Sequence, residues 1–266
     1  MSGADRLIGR ESALAAAGSV LDEARRGAGQ FLMISGEAGI GKTAMLAALI
    51  GQAGPDPLVL RGFGWEGDGA PPYWPWSQVL QASGLPVEGL GEAGRLLPPA
   101  SPKPAEPMTA AAAGDAQFRL FEAVARCLGG LAAGRPVLVV LDDLHWADDP
   151  SLRLLGFLAR ALAAERVALL GAYRDTEAHP ELHTIAGQAQ QLALAGLTPD
   201  DVAALARELA GTPLPPQVAA QLWQRSGGNP FFVRAWAARA GPRSTCPSAG
   251  RCRRDRGRPR ESPRIC

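Results

Sequence analysis

Eight residues, Gly36-Glu37-Ala38-Gly39-Ile40-Gly41-Lys42-Thr43, restrict what this chain can fold into more than any other feature. They satisfy the pattern G-x-x-x-x-G-K-[ST] throughout. That pattern works where a strand ends and a helix begins, with successive backbone N–H groups forming an anion nest at the helix N-terminus. The flanks agree: Phe31-Leu32-Met33-Ile34 is a short apolar run of strand type, and Ala44 to Ile50 is an apolar helix start. This order separates the octapeptide from a glycine-rich turn with a chance lysine. Glycine lets the backbone turn left-handed and approach a ligand closely. Gly36, Gly39, Ile40 and Gly41 are thus candidate nucleotide contacts. Lys42 is predicted to reach the β- and γ-phosphates, and the Thr43 hydroxyl to ligate Mg²⁺. Lys42 is one of only two lysines; Lys103, the other, lies in a Pro/Ala stretch.

Strand and helix patterns alternate along the chain. Gln30 to Ser35, Pro57 to Gly62, Pro136 to Leu141, Arg166 to Tyr173 and Gln191 to Leu197 read as strands. Val137 to Leu141 is apolar without a break, as strands buried on both faces of a parallel sheet are. Glu11 to Arg26, Asp115 to Leu131 (capped by Asp115) and Pro150 to Ala164 have helical spacing. In Tyr73-Trp74-Pro75-Trp76 the prolines place a helix start no earlier than Ser77, and Pro98 to Pro107 reads as an extended loop. Thr198 caps a helix opening on Pro199, and Pro215 to Ser226 ends at Gly227-Gly228. The alternation predicts an α/β fold with a mainly parallel sheet, whose ligands sit at the carboxyl ends of the strands.

Asp142 and Asp143 follow the most apolar strand and should emerge at that edge, beside the phosphate loop. Asp142 is the candidate Mg²⁺ holder and Asp143 the group that orients or deprotonates an attacking water. Both could also simply end a strand in solvent; the complete loop upstream favours the site. Arg174, one strand later, either touches a γ-phosphate or pairs with Asp175 or Glu177. His145, Trp74 and Trp76 read as packing residues.

The composition, 266 residues with 47% hydrophobic and 20% charged, suits one or two globular domains. No apolar run reaches the roughly 18 residues of a membrane span. Met1 to Glu11 lacks a signal-peptide segment, so a cytoplasmic protein is expected. From Ala235 to Cys266 nine Arg face two acids, leaving the rest of a chain of net charge +1 at −6. That argues against a nucleic-acid surface on the globular part. Four cysteines without a C-x-x-C pair give no zinc or redox motif.

Leu7-Ile8-Gly9-Arg10-Glu11, the phosphate loop, Leu141 to Asp148, Tyr173-Arg174-Asp175 and Gly227-Gly228-Asn229-Pro230-Phe231-Phe232 occur in that order. Over about residues 5 to 234 this resembles the ATPase module of large bacterial LuxR-type transcriptional regulators, signal-transducing NTPases related to AAA+ and Orc-like ATPases. The resemblance implies a P-loop NTPase fold, with a five-stranded sheet in order 5-1-4-3-2 and a small helical lid. It implies that Ile8, Gly9 and Arg10 lie near the adenine and that Pro230 touches the nucleotide. It implies ATP with Mg²⁺, self-association on ATP binding, and DNA only through a domain absent from this chain. The expected organisation is an ATPase core over 1–197, a partial lid over 198–239 and a disordered Arg/Pro-rich tail over 240–266.

Family members continue long past the Gly-Gly-Asn-Pro element, whereas here periodicity ends near Ala240. The tail reads as an out-of-frame translation of a truncated gene, or as a genuine basic segment that binds nucleic acid without sequence preference. Three functions fit: a slowly hydrolysing regulatory switch; a motor or loader using an arginine finger such as Arg153, Arg160 or Arg166; or a non-hydrolysing remnant. Similar modules fused to cyclases or kinases leave the output open.

Overall fold

The computed structural model describes residues 7–67, 69–97 and 110–240; the loop expected at Pro98 to Pro107 and the tail beyond 240 lie outside them. In chain order the elements are α1 (Glu11–Arg25), β1 (Gln30–Ser35), α2 (Lys42–Ala53), β2 (Leu58–Phe63), α3 (Trp74–Ala82), α4 (Val87–Leu90), α5 (Ala110–Gly134), β3 (Val137–Asp142), α6 (Asp149–Ala161), β4 (Val167–Tyr173), α7 (Pro180–Ala186), β5 (Gln190–Ala193), α8 (Pro199–Ala210), α9 (Pro216–Ser226) and α10 (Pro230–Ala240).

The five strands form one parallel sheet in order β2-β3-β4-β1-β5, the expected order read from its other edge. Side-chain alternation splits the core into two layers. Leu138 and Val140 of β3 join Ala168, Leu170 and Ala172 of β4 against α1 and α2. Val137, Val139 and Leu141 join Val167 and Leu169 on the other face, against α3, α5, α6 and α7. A third apolar cluster, centred on Val202, Leu222 and Val233, holds α8, α9 and α10 together.

Three boundaries differ from expectation for local reasons. α3 starts at Trp74, because Pro75 stands in its first turn, where an N–H has no partner to lose. α5 starts at Ala110, so Asp115 is internal to it: the four alanines before Gly114 are strong helix formers. β5 stops at Ala193, and the chain then crosses to the third cluster, where the Leu197 N–H donates to Gly228 O at 2.8 Å.

Thr198 caps α8 as expected: its Oγ1 accepts the Asp201 N–H at 3.2 Å, and Asp201 Oδ2 accepts the Thr198 N–H at 3.3 Å. Among the described residues no helix is long and apolar enough to cross a membrane.

Candidate functional site

β1 delivers the chain to Gly36, and α2 takes it up at Lys42. Gly41, just before the helix, has φ 106°, and a Cβ there would meet nothing within 4 Å. Its backbone conformation therefore demands glycine, and the open space beside it is the hollow an anion would fill. Lys42, only 7% exposed, donates from Nζ to Gly36 O and Glu37 O, both at 2.8 Å. Burial, and then the Arg174 charge, push its pKa below the ordinary lysine value.

Across the loop, Thr43 Oγ1 donates to Asp142 Oδ2 at 2.7 Å, and Asp142 Oδ1 accepts the Asp143 N–H at 2.9 Å. Asp143 has φ 53°, a left-handed conformation that costs a non-glycine residue roughly 1 kcal/mol or more. It turns the chain from β3 into the short helical turn Leu144–Trp146. His145 in that turn is buried, as its packing assignment required, and its Nδ1 accepts the Arg174 N–H at 3.4 Å. Its Nε2 lies 3.6 Å from Glu177 Oε2 and 3.9 Å from Asp143 Oδ1, beyond hydrogen-bond range, and has no partner. Arg174 takes the pairing alternative, donating from Nη1 to Glu177 Oε1 at 2.9 Å and Oε2 at 3.2 Å. That bond raises the Arg174 pKa and lowers the Glu177 carboxyl below its usual range. Trp76 is fully buried and packs; its indole N–H donates to Ser151 O at 2.9 Å.

On the other side of the loop, a hollow of about 170 Å³ is lined by Ile8, Arg10, Gly39, Ile40, Gly41 and Pro230, with Phe231 and Arg234. Three anchors draw the α8–α10 cluster and the N-terminal motif onto the loop. Arg10 Nη2 donates to Ile40 O at 3.1 Å, and Asn229 Nδ2 donates to Ala38 O at 2.9 Å. Phe231 approaches Gly39 so closely that a Cβ at 39 would lie 2.6 Å from the Phe231 Cβ. Gly9 borders a neighbouring hollow with Ile8 and Asp201. Thr43, Asp142 and Asp143 instead line a hollow of about 400 Å³ with Arg61 and Phe63. Of the predicted residues, Ile8, Arg10, Gly39, Ile40, Gly41 and Pro230 thus share one hollow and Thr43, Asp142 and Asp143 another, while Gly36, Lys42 and Arg174 line neither.

A family profile described as the AAA ATPase domain matches residues 6–171. The chain belongs to the AAA ATPase domain family. No curated protein matches it. Among solved structures, this AAA ATPase is similar to a Signal Transduction ATPase with Numerous Domains carrying a tetratricopeptide-repeat sensor, from Pyrococcus horikoshii. That pair shares 21% identity and a TM-score of 0.50 over 86% of this chain and 29% of the other, so the present chain spans under a third of that protein. It is also similar to the Walker-type ATPase of Pyrococcus abyssi (13% identity, TM-score 0.57, 87% and 67% of the two chains). A RuvB from Thermotoga maritima shares 17% identity and a TM-score of 0.51 over 88% and 62% of the chains. At these identities the likeness is one of fold.

Membership of the AAA ATPases implies nucleotide binding with a divalent metal, generally Mg²⁺. The residues present fit both. The hollow at Gly41 and the Lys42 ammonium suit phosphate oxygens, and the Thr43 hydroxyl with the Asp142 carboxylate offers hard oxygen donors. Among the described residues no cluster of three or more His, Cys, Asp or Glu could hold a metal alone. Two protein oxygens completed by phosphate and water is how Mg²⁺ is commonly held. Sequence reasoning did not select Glu177, Phe231 or Arg234 for this AAA ATPase site. Phe231 stood in the Gly-Gly-Asn-Pro-Phe-Phe element without a role of its own, Arg234 lies one helical turn past the selected Pro230 and outside that element, and Glu177 was named only as a pairing partner for Arg174.

Proposed function

We propose that this chain is the ATP-binding, slowly ATP-hydrolysing switch module of a LuxR-type transcriptional regulator. The observation that carries the nucleotide reading is that two segments remote in sequence close on one loop: Arg10 bonds Ile40 and Asn229 bonds Ala38, while Lys42 spans Gly36 and Glu37 within the loop. A ligand seated there touches both the core and a helical lid formed by α8 to α10, which is what a switch requires.

In this reading the adenine occupies the hollow of Ile8, Arg10 and Pro230, with Gly9 close by at the neighbouring hollow, and Gly36, Gly39, Ile40 and Gly41 wrap the phosphates. Lys42 leaves the loop carbonyls for the β- and γ-phosphates. Thr43 and Asp142 would hold Mg²⁺, which would supply neutralising charge for the phosphate oxygens. Asp143 orients or deprotonates water, and Arg174 contacts the γ-phosphate. The regulator context rests on the order of the motifs and on likeness to a multi-domain signal-transduction ATPase. DNA contact, in this reading, belongs to a domain outside this chain.

Calorimetric titration of the chain with Mg²⁺–ATP and Mg²⁺–ADP tests the site. Lys42→Ala is expected to weaken ATP at least about tenfold, since it removes a charge-assisted contact. Unchanged affinity removes the assignment. Asp143→Asn is expected to keep binding and cut turnover about a hundredfold, the usual share of a general base. Turnover that rises steeply with protein concentration would favour the motor reading, with Arg153 or Arg160 as the finger. Arg166 already donates to Ala132 O and Ala133 O.

A further inference from the structure

Two side chains outside the proposed roles stand beside Arg174. Glu177 holds its guanidinium through two oxygens, at 2.9 and 3.2 Å. The Arg174 and Glu177 side chains are 30% and 38% exposed, so both are free to change rotamer. His145 is different: its side chain has no exposure, and Nδ1 already accepts the Arg174 N–H. The ring hydrogen therefore sits on Nε2, since a neutral imidazole carries one, and burial keeps the ring neutral. That N–H is buried without an acceptor, and an unmade bond of this kind is destabilising. The nearest carboxylate oxygen to it among the ion-pair contacts is Glu177 Oε2, at 3.6 Å.

We propose that Glu177 is a built-in competitor for Arg174, withholding it from the γ-phosphate, and that the His145 Nε2–H is the second seat its carboxylate takes when Arg174 leaves. The device rests on the proposed nucleotide site. With Glu177 as its partner Arg174 is neutralised locally, and the Glu177 charge offsets a small part of the repulsion between Arg174 and Lys42. A γ-phosphate offers the guanidinium a stronger acceptor. The released Glu177 would lose its cation while sharing the neighbourhood of His145 Nε2 with a like charge, Asp143, whose Oδ1 lies 3.9 Å from that nitrogen. A movement of under 1 Å in the Glu177–His145 separation, from 3.6 Å to an ordinary hydrogen-bond length, gives it a donor. A diphosphate offers Arg174 nothing at that position, so Glu177 keeps it. The pair thereby sets how strongly the site prefers ATP over ADP. Glu177 and His145 act through Arg174 and are positioning residues.

The test is the ratio of affinities for a non-hydrolysable ATP analogue and ADP, measured by calorimetry with Mg²⁺ on the whole chain. Glu177→Gln removes the competitor's charge. It is expected to tighten the analogue about threefold, the worth of a part-exposed ion pair, and to leave ADP unchanged. Arg174→Ala in the same background is expected to erase that gain. His145→Phe, which has no N–H, should lower the ratio, while His145→Gln, which can donate, should keep it. A merely structural role for His145 would shift both nucleotides alike. A Glu177→Gln ratio that stays put or falls, or a gain that survives Arg174→Ala, overturns the competition. A His145→Phe ratio equal to the parent's overturns the second seat. These results fail the device alone when the parent chain binds both nucleotides; a parent that binds neither ends the nucleotide reading as well.

Discussion

Burial lowers the His145 pKa from its ordinary value near 6.5; the charges of Arg174 and Lys42 add to this, and Asp143 and Glu177 oppose it. The folded protein thus binds a proton on this ring less readily than the unfolded chain does. Below about pH 6.5 the unfolded state takes up more protons, so stability falls as pH falls and is complete above that value. A melting temperature that is level above pH 7 and declines below pH 6.5 is expected, with the decline reduced in His145→Gln. Identical profiles for the two proteins would mean that the ring is solvated enough to titrate normally. At this scale the sequence was most informative where function needs adjacent residues. Lys42, Thr43, Asp142 and Asp143 could be selected because a loop and a strand end place them by local rules alone. Glu177 could not be given a role in the same way. It meets Arg174 across one short turn, but its second neighbour, His145, is brought to it only by the pairing of β3 with β4.

At the scale of elements, one carboxylate fastens two helices. Asp148 Oδ1 accepts the Ser151 N–H at 2.6 Å and caps α6, while its Oδ2 accepts the Tyr73 N–H at 2.7 Å just before α3. Tyr73 itself is left-handed, with φ 63°. The sequence showed the prolines around Trp74 but not this remote acceptor, so it placed the helix start too late. Asp148→Ala removes an N-cap and leaves a half-buried N–H without its partner. It is expected to cost about 2 kcal/mol or more, read as a lower urea midpoint at unchanged slope. Asp148→Asn keeps one acceptor oxygen and should lose about half as much. A loss of only a few tenths for the alanine variant would show that α3 holds its start without this anchor, through Trp76 and its bond to Ser151 O. The strands were legible to within a residue or two wherever both faces are buried, as in β3 and β4. β5, an edge strand with exposed residues, was read too long because its apolar continuation serves packing outside the sheet, Leu194 in the layer of α1 and α2 and Leu197 in the third cluster.

At the scale of the whole molecule, the α8–α10 cluster has its own apolar centre and is tied to the phosphate loop by few polar contacts. Asn229 is the most telling of them. It is 4% exposed, donates to Ala38 O, and its Oδ1 accepts the Phe231 N–H at 3.0 Å, so one side chain fixes both the loop and the start of α10. Asn229→Ala leaves the Ala38 carbonyl without its donor and frees Phe231 from the geometry that seats it against Gly39. If the nucleotide is held between core and lid, this variant should bind ATP and ADP equally less well, by about tenfold, because the anchor lies on the loop common to both. That equal loss differs from the ATP-selective shift expected of Glu177→Gln. Hydrogen exchange gives the same test in space. In the parent chain Mg²⁺–ADP should slow exchange in the phosphate loop and in α10 together. In Asn229→Ala the loop should still be protected while α10 exchanges as it does without nucleotide. Protection of α10 that persists in the variant would mean that Phe231 and Arg10 suffice to couple the halves and that Asn229 only tightens the loop.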